Sequence, residues 1–286
     1  LANKTNQKIA KQYQHRARIV WGDIRDKALL EQHIPLQQVI VHMAALIPPA
    51  TDNLPELSWD INVNATTAMV DIANRCATPP LFVFTSSFAV FGERQNDAPP
   101  RSLKDAVIAT DNYSAQKIAC EQYIQQHSPH FCILRLGAAV DERLGHANIK
   151  QLEMALALAH DNRVEFVHPI DIATAICNAI ATPEAHNKIH LIGGGKFCQV
   201  RHIDLLNAVS GSLGLAFKKE NFGTEQLYAD WADTTASQAL LQFQHHTLAQ
   251  LEATVRKKFC VIRWLTLPFA PLIRYVLVHW LIKRKK

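Results

Sequence analysis

The chain has 286 residues, 48% of them apolar and 19% charged, enough to bury a substantial core and ordinary for a globular rather than a disordered protein. Its net charge of +5 sits at the C-terminus: residues 256–286 carry nine Lys/Arg and no Asp/Glu, whereas residues 1–255 carry 21 basic and 25 acidic side chains. That mildly acidic body excludes an electrostatic footprint for nucleic acid. Six scattered cysteines, with no CxxC and no histidines at zinc spacing, indicate a reduced, cytoplasmic protein and predict no metal site.

Residues 1–18 are polar and basic, unlike a signal peptide, and "LANKTNQKIAKQYQH" reads as a sequence already under way. Five short apolar runs then predict strands: "ARIVWGD" (17–23), "QVIVHMAA" (38–45), "PLFVFTSS" (80–87), "HFCILRLG" (130–137) and "KIHLIGG" (188–194). Near-continuous Val, Ile and Phe is the pattern of parallel strands covered on both faces. Between them, helices are predicted over about 57–76, 112–127, 149–161 and 170–181. This alternation predicts a doubly wound α/β sheet with right-handed crossovers. After about residue 138 it loosens, as expected for a second lobe.

Ligands of open α/β sheets bind outside the carboxyl ends of the strands, and three such ends are distinctive. They are "WGD" at 21–23, "HMAA" at 42–45 and "TSS" at 85–87. The two alanines let a ligand approach the backbone, and Ser86 and Ser87 place hydroxyls at the mouth of the sheet. In "DNYSAQKIACEQ" (111–122), Tyr113 and Lys117 are four apart and share one helix face. A cation there is expected to lower the tyrosine pKa and make it a usable acid/base. "GGGK" at 193–196 lacks phosphate-loop spacing and predicts a tight turn. His245 and His246 predict a surface loop.

Taken together, these segments resemble the extended short-chain dehydrogenase/reductase family of NAD-dependent epimerases, dehydratases and hydroxysteroid-dehydrogenase-like enzymes. The carriers are "GDIRD", "VIVHMAA", "NVNAT", "FVFTSSFAVFG", "YSAQK", "ILRLG", "HPIDIATAICNAI" and "IHLIGGG", in that order along the chain. The resemblance implies a Rossmann-like fold and a site that uses NAD or NADP, without distinguishing the two. By position, Tyr113 would be the acid/base, Lys117 would hold the nicotinamide ribose, and Ser87 would bond the substrate oxygen. Asp23 and Ile24 would flank adenine, with His42, Ala44, Ala45 and Asn62 near the cofactor.

The implied domains are a dinucleotide-binding domain over 1–137, a substrate lobe over 138–255 interleaved with the sheet, and a basic hydrophobic tail over 256–286. Several departures matter. The glycine-rich GxxGxxG turn, with its first strand, is missing at the N-terminus, and Phe91 stands where tyrosine is common. "TSSFA" lacks the acidic pair of dehydratases, and "RLGAAVDER" lacks the asparagine stretch that binds nucleotide sugars. The implied activity is hydride transfer between nicotinamide and a secondary alcohol or ketone, with a hydrophobic or lipid-linked substrate suiting the tail. A nucleotide-sugar 4-epimerase and a non-catalytic, membrane-attached scaffold with a degenerate cofactor site are the alternatives. A homodimer is left open.

In the tail, "FCVIRWLTLPFAPLIRYVLVHWLI" (259–282) has 18 apolar residues out of 24 between basic clusters. Two prolines, Arg263, Arg274 and His279 interrupt any single span. The composition predicts an interfacial helical hairpin turning at "PFAP", with peripheral contact to the cytoplasmic membrane face. The opposing expectation is a helix pair packed into the substrate lobe.

Overall fold

In the structure, a computed structural model, residues 1–143, 149–273 and 275–276 are described. Four strands form the main sheet: β1 (Val39–His42), β2 (Leu81–Ser87), β3 (Phe131–Leu136) and β6 (Lys188–Ile192), all parallel in the order β1-β2-β3-β6. The apolar runs at 38–45, 80–87, 130–137 and 188–194 all appear here, because each has a neighbour to pair with and helices on both sides.

Side chains alternate across this sheet. Phe82, Phe84 and Ile133 face one core with Val63, Met69, Cys120 and Ile124. Those residues come from the helical run α4 (Pro55–Trp59), a π-turn (Asp60–Asn64) and α5 (Ala65–Asn74), and from α6 (Asn112–His127). Leu81, Val83, Cys132 and Leu134 face the opposite core with Ile172 and Ile176 of α8 (Pro169–Ala181). The α6 start is sharp because the Asp111 carboxylate accepts from the Ser114 N–H at 2.7 Å while the Ser114 hydroxyl receives the Asp111 N–H at 3.0 Å. This reciprocal cap satisfies two otherwise orphaned donors.

A second, smaller sheet joins β4 (Ala138–Ala139) and β5 (Arg163–Val167) in parallel and β5 to β7 (Gln199–Arg201) antiparallel. It packs Val164 and Phe166 against α9 (His202–Ser210) and α11 (Leu248–Lys258) through Leu205, Val209, Leu251 and Val255. The two sheets are joined by polar contacts from the segment after β2. Arg163 binds both Asp230 oxygens, at 2.6 and 2.9 Å, and donates to the carbonyls of Arg94 and Asp97. The Gln95 amide reaches the carbonyls of Arg163 and Ala229.

Two expectations are corrected. Residues 17–23 form no strand; among the described residues their only strand-type pairing is a bridge between Trp21 and Ala2, with no extended neighbour alongside. The tail does not turn back at "PFAP": Leu267–Phe269 is a 3-10 turn, Ala270 stays in the right-handed helical region, and helix continues to residue 273. Residue 256 lies within α11, where Val255 and Phe259 are buried in the second lobe between exposed residues, and exposed large apolar side chains follow from Val261. Residues 277–286, including Trp280 and the final basic cluster, lie outside the described residues. Among the described residues, no helix is long and apolar enough to cross a membrane.

Candidate active site

Three turns of α6 lie against three consecutive residues at the carboxyl end of β2. The Tyr113 phenol lies close enough to the Ser87 hydroxyl for Ser87 to favour its ionised form. One turn on, Lys117 donates its Nζ to the Thr85 carbonyl at 2.7 Å. A further turn on, the Ser86 hydroxyl donates to Glu121 Oε1 at 2.5 Å. Spacing of four places Tyr113, Lys117 and Glu121 on one helix stripe, so the expected Ser87–Tyr113–Lys117 trio does converge.

Its electrostatics differ from expectation. Lys117 is buried, 4.6 Å from the Phe84 ring centroid and 5.7 Å from that of Tyr113. Burial lowers its pKa from 10.5 to about 8, against the opposing field of Cys120 and Glu121. The Tyr113 phenol is raised, not lowered: burial dominates, the Ser87 hydrogen bond opposes it, and Asp111 adds to the rise. Removing the phenolate from water is the largest cause, and it costs the charged form more than its neighbours return. At neutral pH Tyr113 is therefore a protonated donor.

The other candidate residues fall in β1 and in the segments around it. Asp23 is exposed and tied to Arg25, at 2.6 Å from Nη2, and these hydrogen bonds hold its carboxyl at about 2. Ile24 is half-buried against the first core. His42 is buried, with Nε2 2.8 Å from the Thr66 hydroxyl, and burial pushes its pKa down to about 3, so it is neutral. Ala44 is exposed and Ala45 half-buried in the loop that follows. Asn62 is buried and fully engaged: Oδ1 accepts from the Leu46 N–H, and Nδ2 donates to the Leu46 carbonyl and to Gln116 Oε1. It fixes the Ala44–Leu46 loop to α6. A groove of about 480 Å³ runs beside β1, lined by Ile24, Val41, His42, Met43 and Ala44 among others.

Sequence reasoning missed Glu121 and Arg135, which form a buried ion pair at 2.7 Å directly behind Ser86. Two signals were available. Glu121 continues the Tyr113–Lys117 stripe, and Arg135 is a lone charge in an otherwise apolar strand. The expected surface loop at His245–His246 is present, with His245 exposed, and it is pinned from beneath. The buried Asp171 carboxylate accepts both backbone N–H groups and lies 2.7 Å from His246 Nδ1, and His246 stacks on His168. "GGGK" does form a turn, with Gly195 at φ +75° and its N–H donated to the buried Glu165.

Residues 1–193 match the NAD dependent epimerase/dehydratase family. The chain belongs to this family. Its relatives include the D-erythronate dehydrogenases of Cupriavidus necator, 29% identical over 115 residues, and Haemophilus influenzae, 30% identical over 91 residues. These matches take in 40% and 31% of this chain but only 35% and 28% of those proteins, so the chain matches about a third of their length. The fold is similar to that of UDP-glucuronic acid 4-epimerase from Bacillus cereus, solved with UDP-glucuronic acid and NAD. There the TM-score is 0.72 at 19% identity, covering 89% of this chain and 86% of that one. The dTDP-glucose 4,6-dehydratase of Bacillus anthracis, solved with NAD, gives 0.69 at 17% identity, covering 88% and 84%. RMD of Pseudomonas aeruginosa, solved with NADPH, gives 0.67 at 14% identity, covering 88% and 94%. The doubly wound, Rossmann-like class expected of this family is the one observed.

Proposed function

We propose that the chain is an NAD(P)-dependent oxidoreductase acting on a secondary alcohol or ketone. The observation that carries this reading is the convergence of Ser87, Tyr113 and Lys117 at the end of β2. The residues present fit one half of the cofactor. Exposed Ala44 leaves the backbone approachable beside the groove, Ile24 lines the same groove next to Asp23 in sequence, and Tyr113 and Lys117 would meet the nicotinamide ribose. The ten glycines hold no GxxGxxG turn, so these residues provide no glycine cradle for pyrophosphate. When bound, the cofactor supplies or accepts the hydride. In the reducing direction Tyr113 donates its proton to the carbonyl oxygen, Ser87 orients that oxygen, and Lys117 supports the developing phenolate.

D-Erythronate is the first substrate to try, followed by other hydroxy acids and UDP-sugars, with NAD and NADP each tested. Tyr113→Phe should reduce turnover at least about 100-fold while leaving the far-UV spectrum intact. Unchanged turnover would sink the assignment. Interconversion of UDP-sugars without net reduction would establish the epimerase reading instead.

We also propose peripheral contact with an anionic membrane through the C-terminal segment. Its support is the exposure of Val261, Ile262, Trp264, Leu265, Leu267 and Phe269, each 48–77% accessible, next to Arg256, Lys257 and Lys258. The packed-core alternative would have buried them. Each basic residue near an acidic leaflet contributes about 1 kcal/mol, and the apolar side chains add a salt-insensitive part. The protein should co-sediment with phosphatidylglycerol vesicles, and Trp264→Ser with Leu265→Ser should weaken this. Full-length protein left in the supernatant at low salt would end the proposal.

A further inference from the structure

We propose that Glu121, through its ion pair with Arg135, is a positioning residue that holds Lys117 as a cation and fixes Ser86, and hence Ser87, beside Tyr113. The inference deepens the reading of the Ser87–Tyr113–Lys117 site and rests on it for its catalytic meaning.

The geometry is a buried chain of polar contacts. Arg135 reaches Glu121 with Nε at 3.0 Å to Oε1 and Nη2 at 2.7 Å to Oε2, while its guanidinium lies 5.1 Å from the Phe91 ring centroid. Oε1 also accepts from Ser86. Glu121 is 2% and Arg135 5% exposed, so neither charge has water as an alternative partner. A buried, fully paired carboxylate of this kind is costly to remove singly. Ser86 lies between Thr85, whose carbonyl holds Lys117, and Ser87, which faces the Tyr113 phenol. One carboxylate therefore sets the height of three strand residues against three helix turns.

It also acts on charge. The groups facing Lys117 are His42 from β1, Phe84 and Thr85 from β2, and Tyr113, Cys120 and Glu121 from its own helix. His42 is neutral, Phe84 has no charge, and burial raises both the Cys120 thiol and the Tyr113 phenol, keeping them protonated. Glu121 is thus the anion facing the ammonium, with Arg135 behind it on β3. Without Glu121, less would oppose the desolvation of Lys117, and the lysine would lose its proton closer to neutral pH.

The experiment titrates Lys117 directly by NMR of lysine labelled with ¹³C at Cε. The resonance is assigned by its absence in Lys117→Met. Glu121→Gln keeps the side-chain shape and removes the charge. Glu121→Gln with Arg135→Met removes both charges and avoids leaving a bare buried guanidinium. In both folded variants the midpoint should fall by about one unit, and further in the single variant, where Arg135 remains. Ser86→Ala, which keeps the carboxylate, should leave the midpoint in place while shifting Ser87 and Tyr113 resonances. A midpoint unchanged in the charge-removing variants overturns the proposal, because a merely structural ion pair would alter stability alone. The readout does not need turnover. If no substrate is found, the oxidoreductase reading fails while the midpoint shift still decides this one.

Discussion

Replacing Lys117 by methionine should make the protein more stable at neutral pH, although the lysine belongs to the proposed site. Burial lowers the Lys117 pKa from 10.5 in the open chain to about 8 in the fold. A fall of that size corresponds to about 3 kcal/mol of destabilisation wherever the lysine is charged in both states. Methionine fills a similar volume without a charge to desolvate, but leaves the Thr85 carbonyl without its 2.7 Å donor, a loss of about 1 kcal/mol. The net gain expected at pH 7 is about 2 kcal/mol. The sign of the pH dependence follows from the depressed value. Between about pH 8 and 10.5 the unfolded chain binds more protons than the fold, so wild-type stability rises relative to the variant. The gain should shrink through this window and vanish by its upper end. Urea unfolding of both proteins, followed by circular dichroism at neutral and alkaline pH, measures the difference, with other titrating groups cancelling between them. A variant no more stable than wild type at pH 7, or a gap that does not narrow, would refute the reasoning.

Asp230→Ala should destabilise the protein by about 3–5 kcal/mol, because it strands the buried guanidinium of Arg163 and the ion-paired Arg101 beside it. A loss below about 1 kcal/mol in urea would show that water replaces the carboxylate. Since burial raises Tyr113 above its ordinary value of 10, alcohol oxidation, which needs the phenolate, should gain rate as pH climbs towards 10. Carbonyl reduction should show no such gain; identical profiles in the two directions would place the proton transfer elsewhere.

The parts of this molecule legible in its sequence are those in which one local signal suffices. Helix α6 could be read to the residue because Asp111 caps it and the strands on either side are apolar runs of ordinary length. The second sheet was not legible: β4 has two residues and β7 three, too short for any periodicity, and both exist through pairing with β5. Residues 17–23 show the converse, an apolar run that reads as a strand yet pairs only once, since a strand is a property of two segments. In the site, Tyr113 and Lys117 were visible as spacing. Glu121 was not, because a glutamate in a helix ordinarily reads as solvated, and its burial depends on an arginine from another strand. The direction of the Tyr113 shift was likewise invisible: spacing shows proximity to a cation, whereas the degree of desolvation is a property of the whole fold.

The clamp around Arg163 has a practical consequence. The segment leaving Ser87 for Tyr113 is gripped at Arg94, Gln95 and Asp97 by groups of the second sheet that are mostly shielded from solvent. Counter-ions screen exposed charges over about 10 Å at 0.1 M salt but barely reach buried pairs. The basic face at Arg256, Lys257 and Lys258 is exposed and fully open to that screening. Ionic strength therefore becomes a dial that acts on the two regions unequally: it would loosen the attachment proposed for the basic face and leave the geometry between Ser87 and Tyr113 untouched.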